Sequence, residues 1–178
     1  MPRAFVALVP DATVLDALDR LEVQLRPHVE SARWTPRERR HVTVAFLGDD
    51  TDLDVAAERL GLLAAGTQGP FTIGLCGIGA FPRPRAAQVL WCGVGPGRDR
   101  LDDLARRAVD VFGLTVTQRF VGHLTMARCS PAGDRSSVVD RVWRSPQWTV
   151  DELLLVESVD EREGVRYRVR SEEHTSEL

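Results

Sequence analysis

The chain contains no lysine, and all 23 of its basic residues are arginine. With 26 acidic residues, the formal net charge is −3. A charge this close to zero provides no overall attraction for nucleic acid, although a local basic groove is compatible with it. The arginines do not cluster along the sequence. We therefore attribute the absence of lysine to a GC-rich genome rather than to phosphate binding.

Cysteine and long apolar runs are also scarce. Cys76, Cys92 and Cys129 are an odd number without regular spacing, which argues against a disulfide framework and a zinc site and suits a reducing cytoplasm. The N-terminus has no basic segment followed by an apolar stretch, and no apolar run is long enough to cross a bilayer. The sequence therefore predicts a cytoplasmic protein without membrane contact, and we expect a monomer.

Hydrophobic spacing predicts alternating strands and helices. Strands are predicted over 4–9, 32–34, 41–47, 70–81, 89–94, 119–129, 149–159 and 165–169. Helices are predicted from Asp11 to Pro27, over 53–64, over 98–112 with Gly113 as the C-cap, and briefly over 135–143. Strands joined partly by hairpins, with helices between them, indicate an α+β fold of antiparallel sheets with outer helices.

Two segments share the pattern His-x-Thr followed by an apolar residue, and both lie in predicted strands: His41-Val42-Thr43-Val44 and His123-Leu124-Thr125-Met126. Side chains alternate between the faces of a strand, so the histidine and threonine of each segment share one face. One such segment is weak evidence for a functional site, because histidine and threonine are both common in strands. Two copies in apolar strands are much less expected by chance.

The alternation also predicts the faces of neighbouring residues. Val42, Val44 and Phe46 should point together into a core, while Ala45 and Ala127 should follow the histidines along the other face. If the two strands lie side by side, both imidazoles stand over one groove with a floor of small residues.

Two imidazoles over one groove form an acid–base pair. An unperturbed histidine titrates near pH 6.5, so one ring can be charged while the other is neutral. This suits a displacement at phosphorus, in which one ring takes a proton from water and the other protonates the leaving oxygen. The threonine hydroxyls would donate hydrogen bonds to the phosphate. The spacing supplies no metal site, because no H-E-x-x-H motif occurs and two histidines are too few ligands.

Six segments carry a family resemblance: Arg3-Ala4-Phe5-Val6-Ala7, Trp34-Thr35-Pro36, residues 41–48, Val89-Leu90-Trp91, residues 119–128 and Val165-Arg166-Tyr167. In these, the chain from Arg3 to Val169 resembles the two-histidine phosphoesterases. Within them it is similar to the bacterial and archaeal RNA 2′,3′-cyclic phosphodiesterases, once described as 2′-5′ RNA ligases. One departure is Gly122, where the family usually has proline.

The resemblance implies a bilobal α+β fold, with two antiparallel sheets and outer helices around a central groove on a pseudo-twofold axis. It implies His41 as proton donor, His123 as proton acceptor, Thr43 and Thr125 on the phosphate, and no cofactor. The implied activity is hydrolysis of a 2′,3′-cyclic phosphate, on RNA ends or a small nucleotide, to a 2′-phosphomonoester. Two alternatives remain open: 2′-5′ RNA ligation, and a nucleotide- or RNA-binding module without turnover.

Three further residues near the second motif are candidates for substrate binding. Arg128 matches a family arginine, but strict alternation puts it on the face opposite His123, whereas Arg119 shares the His123 face. Either the strand ends or bulges near Ala127, or Arg119 is the phosphate partner, or both arginines are simply solvated. Phe120 would either stack on a nucleobase or pack in the core.

The last nine residues, 170–178, look like the conceptual translation of a common sequencing-library adapter. The alternative is an ordinary disordered acidic terminus. We favour the first interpretation, and therefore expect one bilobal domain over 1–169 followed by a non-native tail that contributes nothing to the site.

Overall fold

The computed structural model describes residues 3–161 and 164–175. The strands are β1 (Arg3–Leu8), β2 (Ala32–Trp34), β3 (Val42–Gly48), β4 (Phe71–Phe81), β5 (Ala87–Val94), β6 (His123–Gly133), β7 (Arg144–Val150), β8 (Glu152–Glu161) and β9 (Gly164–His174). The helices are α1 (Ala12–Leu25), α2 (Leu53–Ala65), α3 (Arg98–Phe112) and the short α4 (Ser136–Val139). The predicted α+β class is confirmed. No helix in this part of the chain is both long and apolar enough to span a bilayer.

The strands form two antiparallel halves that meet at the His-x-Thr segments. Their order is β7-β4-β5-β6-β3-β1-β8-β9, and β2 adds to the free part of β6. The halves join where β3 pairs with β6, through Val42 opposite Leu124. Each of these two residues directly follows a motif histidine. The predicted side-by-side placement of the two motifs is therefore confirmed.

The helices cover one face of this array and leave the other open. The apolar stripe of α1 is buried as its spacing predicts, through Val14, Leu18, Leu21 and Leu25. Helix α3 ends at Gly113, which has the left-handed φ of 65° that favours glycine at this position. These helices share one large core cluster with the helix-facing side chains of the strands. A small second cluster, which includes Phe5, lies on the open face.

A bulge in β3 changes which side chains reach the core. Along β1 the opposite residue changes from Thr43 to Ala45 in one step, so Val44 is the extra residue. Beyond the bulge the alternation reverses. Ala45 is buried in the core, whereas Phe46 is 52% exposed. The predictions that Phe46 packs in the core and that Ala45 follows His41 along its face are therefore wrong.

A matching bulge occurs in β6. Along β5, Trp91 lies opposite Thr125, but the next residue, Leu90, lies opposite Ala127, so Met126 is the extra residue. Both Met126 and Ala127 are buried in the core. The prediction that Ala127 follows His123 along the groove face is therefore wrong.

Several predicted boundaries also change. Strand β6 begins at His123 rather than at residue 119 and continues to Gly133, because it pairs with β5 to that point. The predicted strand over 149–159 is two strands that break at Asp151: β7 pairs with β4 in one half, and β8 pairs with β1 in the other. The helix predicted over 135–143 covers only Ser136–Val139. Strand β9 continues past Val169 to His174, opposite Glu152. The non-native origin of 170–178 stays a prediction.

Candidate active site

The two motif histidines are held in the same way by the backbone. His41 Nδ1 lies 2.7 Å from the carbonyl oxygen of Arg39, and His123 Nδ1 lies 2.6 Å from that of Val121. A carbonyl oxygen only accepts hydrogen bonds, so in each ring Nδ1 carries the hydrogen and donates it. In the neutral ring, Nε2 is then the basic nitrogen. Both imidazoles are thus set in the tautomer that can accept a proton at Nε2.

Four aromatic side chains surround the two imidazoles. Phe5 stacks on His41 with 4.7 Å between ring centroids, and Tyr167 meets the same ring edge-on at 5.5 Å. On the other side, Phe81 and Trp91 lie 5.1 Å and 5.8 Å from the His123 ring. These side chains come from β1, β9, β4 and β5, two strands in each half. Each imidazole therefore has an apolar wall that shields part of the ring from water.

The position of Trp91 depends on a glycine in the neighbouring strand. Gly79 lies directly opposite Trp91 across the β4–β5 pair. A Cβ atom at Gly79 would lie 2.2 Å from the indole ring, which is far inside van der Waals contact. The absence of a side chain there lets the indole lie against β4 and reach His123.

Burial lowers the pKa of both histidines below the ordinary value of 6.5. The backbone hydrogen bonds from Arg39 and Val121 oppose this effect but do not cancel it. Positive charge on His123 lowers the pKa of His41 further. Both rings are therefore mostly neutral near pH 7 in the free protein, and the pair accepts a first proton more readily than a second.

The threonines complete the same surface. Thr43 Oγ1 lies 3.1 Å from His41 Nε2, and because that nitrogen is the acceptor, the hydroxyl donates the hydrogen bond. Thr125 lies opposite Trp91 and is half-buried. When His41 is protonated, its Nε2 no longer accepts this hydrogen bond, and the Thr43 hydroxyl, like that of Thr125, could then donate to a bound anion. Their role on a phosphate, like the roles of the histidines, stays a prediction.

A buried arginine anchors the start of β3, one residue before His41. Arg40 is 2% exposed, and its guanidinium contacts Asp19 at 2.6 Å and also Glu22, both on α1. Burial alone would raise the pKa of Asp19, but hydrogen bonds from Arg37 and Arg40 outweigh it, and the net shift is downward. This network fixes the backbone that carries His41 against α1. The sequence suggested only a charged link here, since nothing in a single sequence shows that Arg40 is buried.

The bulge in β6 shows on which face Arg128 lies, whereas the choice between Arg128 and Arg119 as the phosphate partner stays a prediction. Because Met126 is the extra residue, Arg128 returns to the face of Thr125 and is exposed there. Arg119 precedes β6 in a segment without regular structure, so strand alternation does not apply to it. Phe120 packs against the main core, as one of its two predicted placements required.

No group of three or more His, Cys, Asp or Glu side chains that could hold a metal ion occurs within 3–161 and 164–175. The arrangement instead offers two proton-accepting nitrogens, two hydroxyl donors and one guanidinium on an open face.

Known proteins share this arrangement of strands and helices. A family model for the 2′-5′ RNA ligase superfamily matches residues 9–162. The RNA 2′,3′-cyclic phosphodiesterase of Aquifex aeolicus (strain VF5) is 26% identical over 159 residues, covering 85% of this chain and 84% of the relative. That of Archaeoglobus fulgidus is 30% identical over 130 residues, covering 71% and 72%. E. coli LigT, solved in complex with phosphate, matches with a TM-score of 0.75 at 25% identity, over 99% of both chains.

The family match spans most of the sequence and includes both His-x-Thr segments. From this match, and from the relative at 30% identity, it follows that the chain belongs to the 2′-5′ RNA ligase superfamily.

Proposed function

We propose that this protein hydrolyses 2′,3′-cyclic phosphate ends of RNA to 2′-phosphomonoesters by acid–base catalysis at His41 and His123. One observation carries the proposal: backbone carbonyls hold both imidazoles in the same tautomer, with Nε2 as the basic nitrogen, on neighbouring strands. Relatives that are RNA 2′,3′-cyclic phosphodiesterases support the substrate class. A phosphate ion in LigT supports a phosphate group as the recognised element.

The proposed step removes a proton from the attacking water on one side of the phosphorus atom and adds a proton to the leaving oxygen on the other. Neutral His123 takes a proton from a water molecule at Nε2, and the water oxygen bonds to phosphorus. The bond from phosphorus to O3′ breaks, and protonated His41 gives its Nε2 proton to that oxygen. The product carries a 2′-phosphate and a free 3′-hydroxyl, and the two rings then exchange protons with solvent to return to the starting state.

The rest of the site supports this step. The Thr43 and Thr125 hydroxyls donate to the non-bridging phosphate oxygens, where charge accumulates as water adds. The bound phosphate is negatively charged, which favours the protonated form of His41 and offsets the effect of burial on its pKa. Substrate binding therefore increases the fraction of His41 that is protonated and can act as the acid.

Hydrolysis is tested with a short oligoribonucleotide that ends in a 2′,3′-cyclic phosphate. We expect the wild-type protein to convert it to a 2′-phosphate, seen by ³¹P NMR and by resistance to a 3′-specific phosphatase. His41→Ala and His123→Ala should each lose about 10²–10⁴ in rate. Both should melt close to the wild-type temperature, because both side chains face the groove. His28→Ala, at an exposed histidine in a 3₁₀ turn after α1, is the matched control and should keep full activity.

Each alternative predicts a different result. A 3′-phosphate product would indicate that the acid and base roles of the two histidines are reversed. Joining of the cyclic end to a 5′-hydroxyl in preference to hydrolysis would indicate a ligase. Tight binding without turnover would indicate a binding module. We further propose that the protein acts in the cytoplasm, where the free thiols of Cys76, Cys92 and Cys129 would remain reduced.

A further inference from the structure

Of the four aromatic residues around the imidazoles, Tyr167 comes from an edge strand. Strands β4, β5 and β1, which supply Phe81, Trp91 and Phe5, each lie between two other strands. Strand β9, which supplies Tyr167, ends the strand order and among the described strands pairs with β8 alone. An edge strand has backbone hydrogen bonds to another strand on one side only. The position of Tyr167 against His41 therefore depends on what else holds β9.

Arg39 provides such an attachment. Its Nη1 donates a hydrogen bond of 2.9 Å to the carbonyl oxygen of Val165, which lies 126 positions further along the chain and two residues before Tyr167. Its guanidinium carbon lies 6.0 Å from the centroid of the Tyr167 ring, within the range of a cation–π contact. One guanidinium thus ties the backbone of β9, and the ring that β9 carries, to the segment just before β3.

The same residue also holds the other side of His41. Arg39 ends the short 3₁₀ turn Arg37–Arg39, and its carbonyl oxygen accepts the hydrogen bond from His41 Nδ1 at 2.7 Å. Tyr167 meets the His41 ring edge-on at 5.5 Å and the Phe5 ring edge-on at 5.2 Å. The contacts therefore close a cycle that runs from the Arg39 carbonyl through His41 and Tyr167 back to the Arg39 guanidinium.

The second motif differs at the corresponding position. Two residues before His123 stands Val121, whose carbonyl accepts from His123 as that of Arg39 accepts from His41. The Val121 side chain has no hydrogen-bond donor and is 42% exposed. The aromatic wall of His123 lies on β4 and β5, which are paired on both sides. The arginine thus stands at the motif whose wall includes a residue of an edge strand.

We propose that Arg39 is a positioning residue, which holds Tyr167 against His41 and so keeps this imidazole oriented for protonation of O3′. The role rests on the proposed function, in which His41 is the acid, and it adds a residue outside both His-x-Thr segments to the machinery. Because its guanidinium is bonded to the backbone of β9, Arg39 acts through Tyr167 rather than directly on the substrate.

Loss of the Arg39 side chain would change the surroundings of His41 in two ways. Tyr167 would no longer be fixed, so water would reach the ring and reduce the desolvation that is the largest cause of its lowered pKa. A guanidinium charge would also leave, while Tyr167 on β9 and His123 on β6 remain as titratable groups that face the ring. Both changes raise the pKa of His41, so a second substitution is needed to separate them.

NMR of the free protein makes this separation. We expect Arg39→Ala to raise the pKa of His41 toward the ordinary value of 6.5 and to weaken the NOE contacts between the Tyr167 and His41 rings. Tyr167→Leu should raise this pKa as well, and adding Arg39→Ala to it should change little more, because the two residues act as one unit. Arg39→Lys, which keeps a donor that can reach Val165, should recover most of the wild-type titration. Arg20→Ala, at an exposed arginine of α1, is the control and should leave it unchanged.

Kinetics on a trinucleotide that ends in a 2′,3′-cyclic phosphate give a second readout. Arg39→Ala should lower kcat at its pH maximum by roughly 10–10²-fold, the cost of a misplaced catalytic group, and change KM less than about twofold. The maximum of kcat/KM should move to higher pH, because the apparent pKa values of the histidine pair rise. Arg39→Lys should restore most of kcat, and Arg20→Ala should change none of these values.

Three results would overturn the assignment. An unchanged pKa of His41 together with an unchanged kcat would leave Arg39 without a role at the ring. A raised KM with unchanged kcat would place Arg39 on the substrate. Additive pKa shifts in the double variant would show that Arg39 acts through its charge and not through Tyr167. If wild type does not turn over the trinucleotide, the proposed function fails, and the NOE contacts and titrations of the free protein still decide whether Arg39 holds Tyr167 against His41.

Discussion

The pH dependence of the proposed reaction follows from the aromatic walls around the two histidines. Burial against Phe5, Tyr167, Phe81 and Trp91 lowers the pKa of both rings below 6.5. The productive free enzyme carries one proton on the pair. We therefore expect kcat/KM to be bell-shaped with its maximum below pH 6.5, rather than centred on neutrality as unperturbed histidines would give.

The limbs of that profile have a defined steepness. Above the higher apparent pKa, the singly protonated form falls tenfold for each pH unit, and below the lower one it falls tenfold in the other direction. Raising the pH from 7 to 8 should thus cost close to a full factor of ten in kcat/KM. The profile of kcat should lie at higher pH, because the bound phosphate favours the protonated acid.

The stability of the fold should also depend on pH through these two histidines, and it should increase as the pH rises. Below pH 6.5 the unfolded chain binds protons at these histidines more readily than the folded chain does, so unfolding takes up protons. The free energy of unfolding should therefore rise with pH from the lowered folded pKa values up to about 6.5. In the double variant His41→Asn, His123→Asn this part of the pH dependence should disappear.

Two measurements check the argument. Initial rates from pH 4.5 to 9 on the cyclic-phosphate trinucleotide give the profile, and NMR titration of the imidazole protons gives the individual pKa values. His123→Ala should raise the pKa of His41, because the charge that lowers it is gone. A maximum above pH 7.5, or imidazoles that titrate at or above 6.5 in the free protein, would refute the reasoning.

Two further predictions concern the framework of the site. Arg40→Met removes the buried guanidinium from Asp19 and Glu22 and leaves Glu22 with only the exposed Arg26 as partner. The cost should be up to about 3–5 kcal/mol, which would lower Tm by up to about 20 °C in scanning calorimetry. Adding Glu22→Gln should restore part of the loss, and an unchanged Tm in the single variant would contradict the burial of this ion pair. The β3 bulge is tested by urea unfolding of two variants. Val44→Ala should lower the free energy of unfolding by about 1–4 kcal/mol, whereas Phe46→Ala, at an exposed side chain, should lower it by less than about 0.5 kcal/mol. A larger loss for Phe46→Ala than for Val44→Ala would place Phe46 in the core.

Much of the framework was predictable because it depends on local patterns. The 3.6-residue spacing of Val14, Leu18, Leu21 and Leu25 predicts α1, and Gly113 predicts where α3 ends. The two motif histidines are also recognisable from the sequence alone, because the His-x-Thr pattern occurs twice. Hydrophobic spacing does not reveal the strand break at Asp151, because the apolar residues on both sides of it form one continuous pattern although they pack in different halves.

The sequence alone determined the chemical parts: two histidines, two threonines and the apolar strands that carry them. Only the tertiary structure decided how they are oriented and charged. The bulges at Val44 and Met126 arise from register with β1 and β5, and strand alternation cannot reveal them because it ignores the partner strand. The wall that lowers the pKa of His41 includes Tyr167, which is brought to it from the far end of the chain. Likewise, Arg39 contacts Val165 only in the folded chain, since contacts between distant segments depend on the fold and not on local spacing.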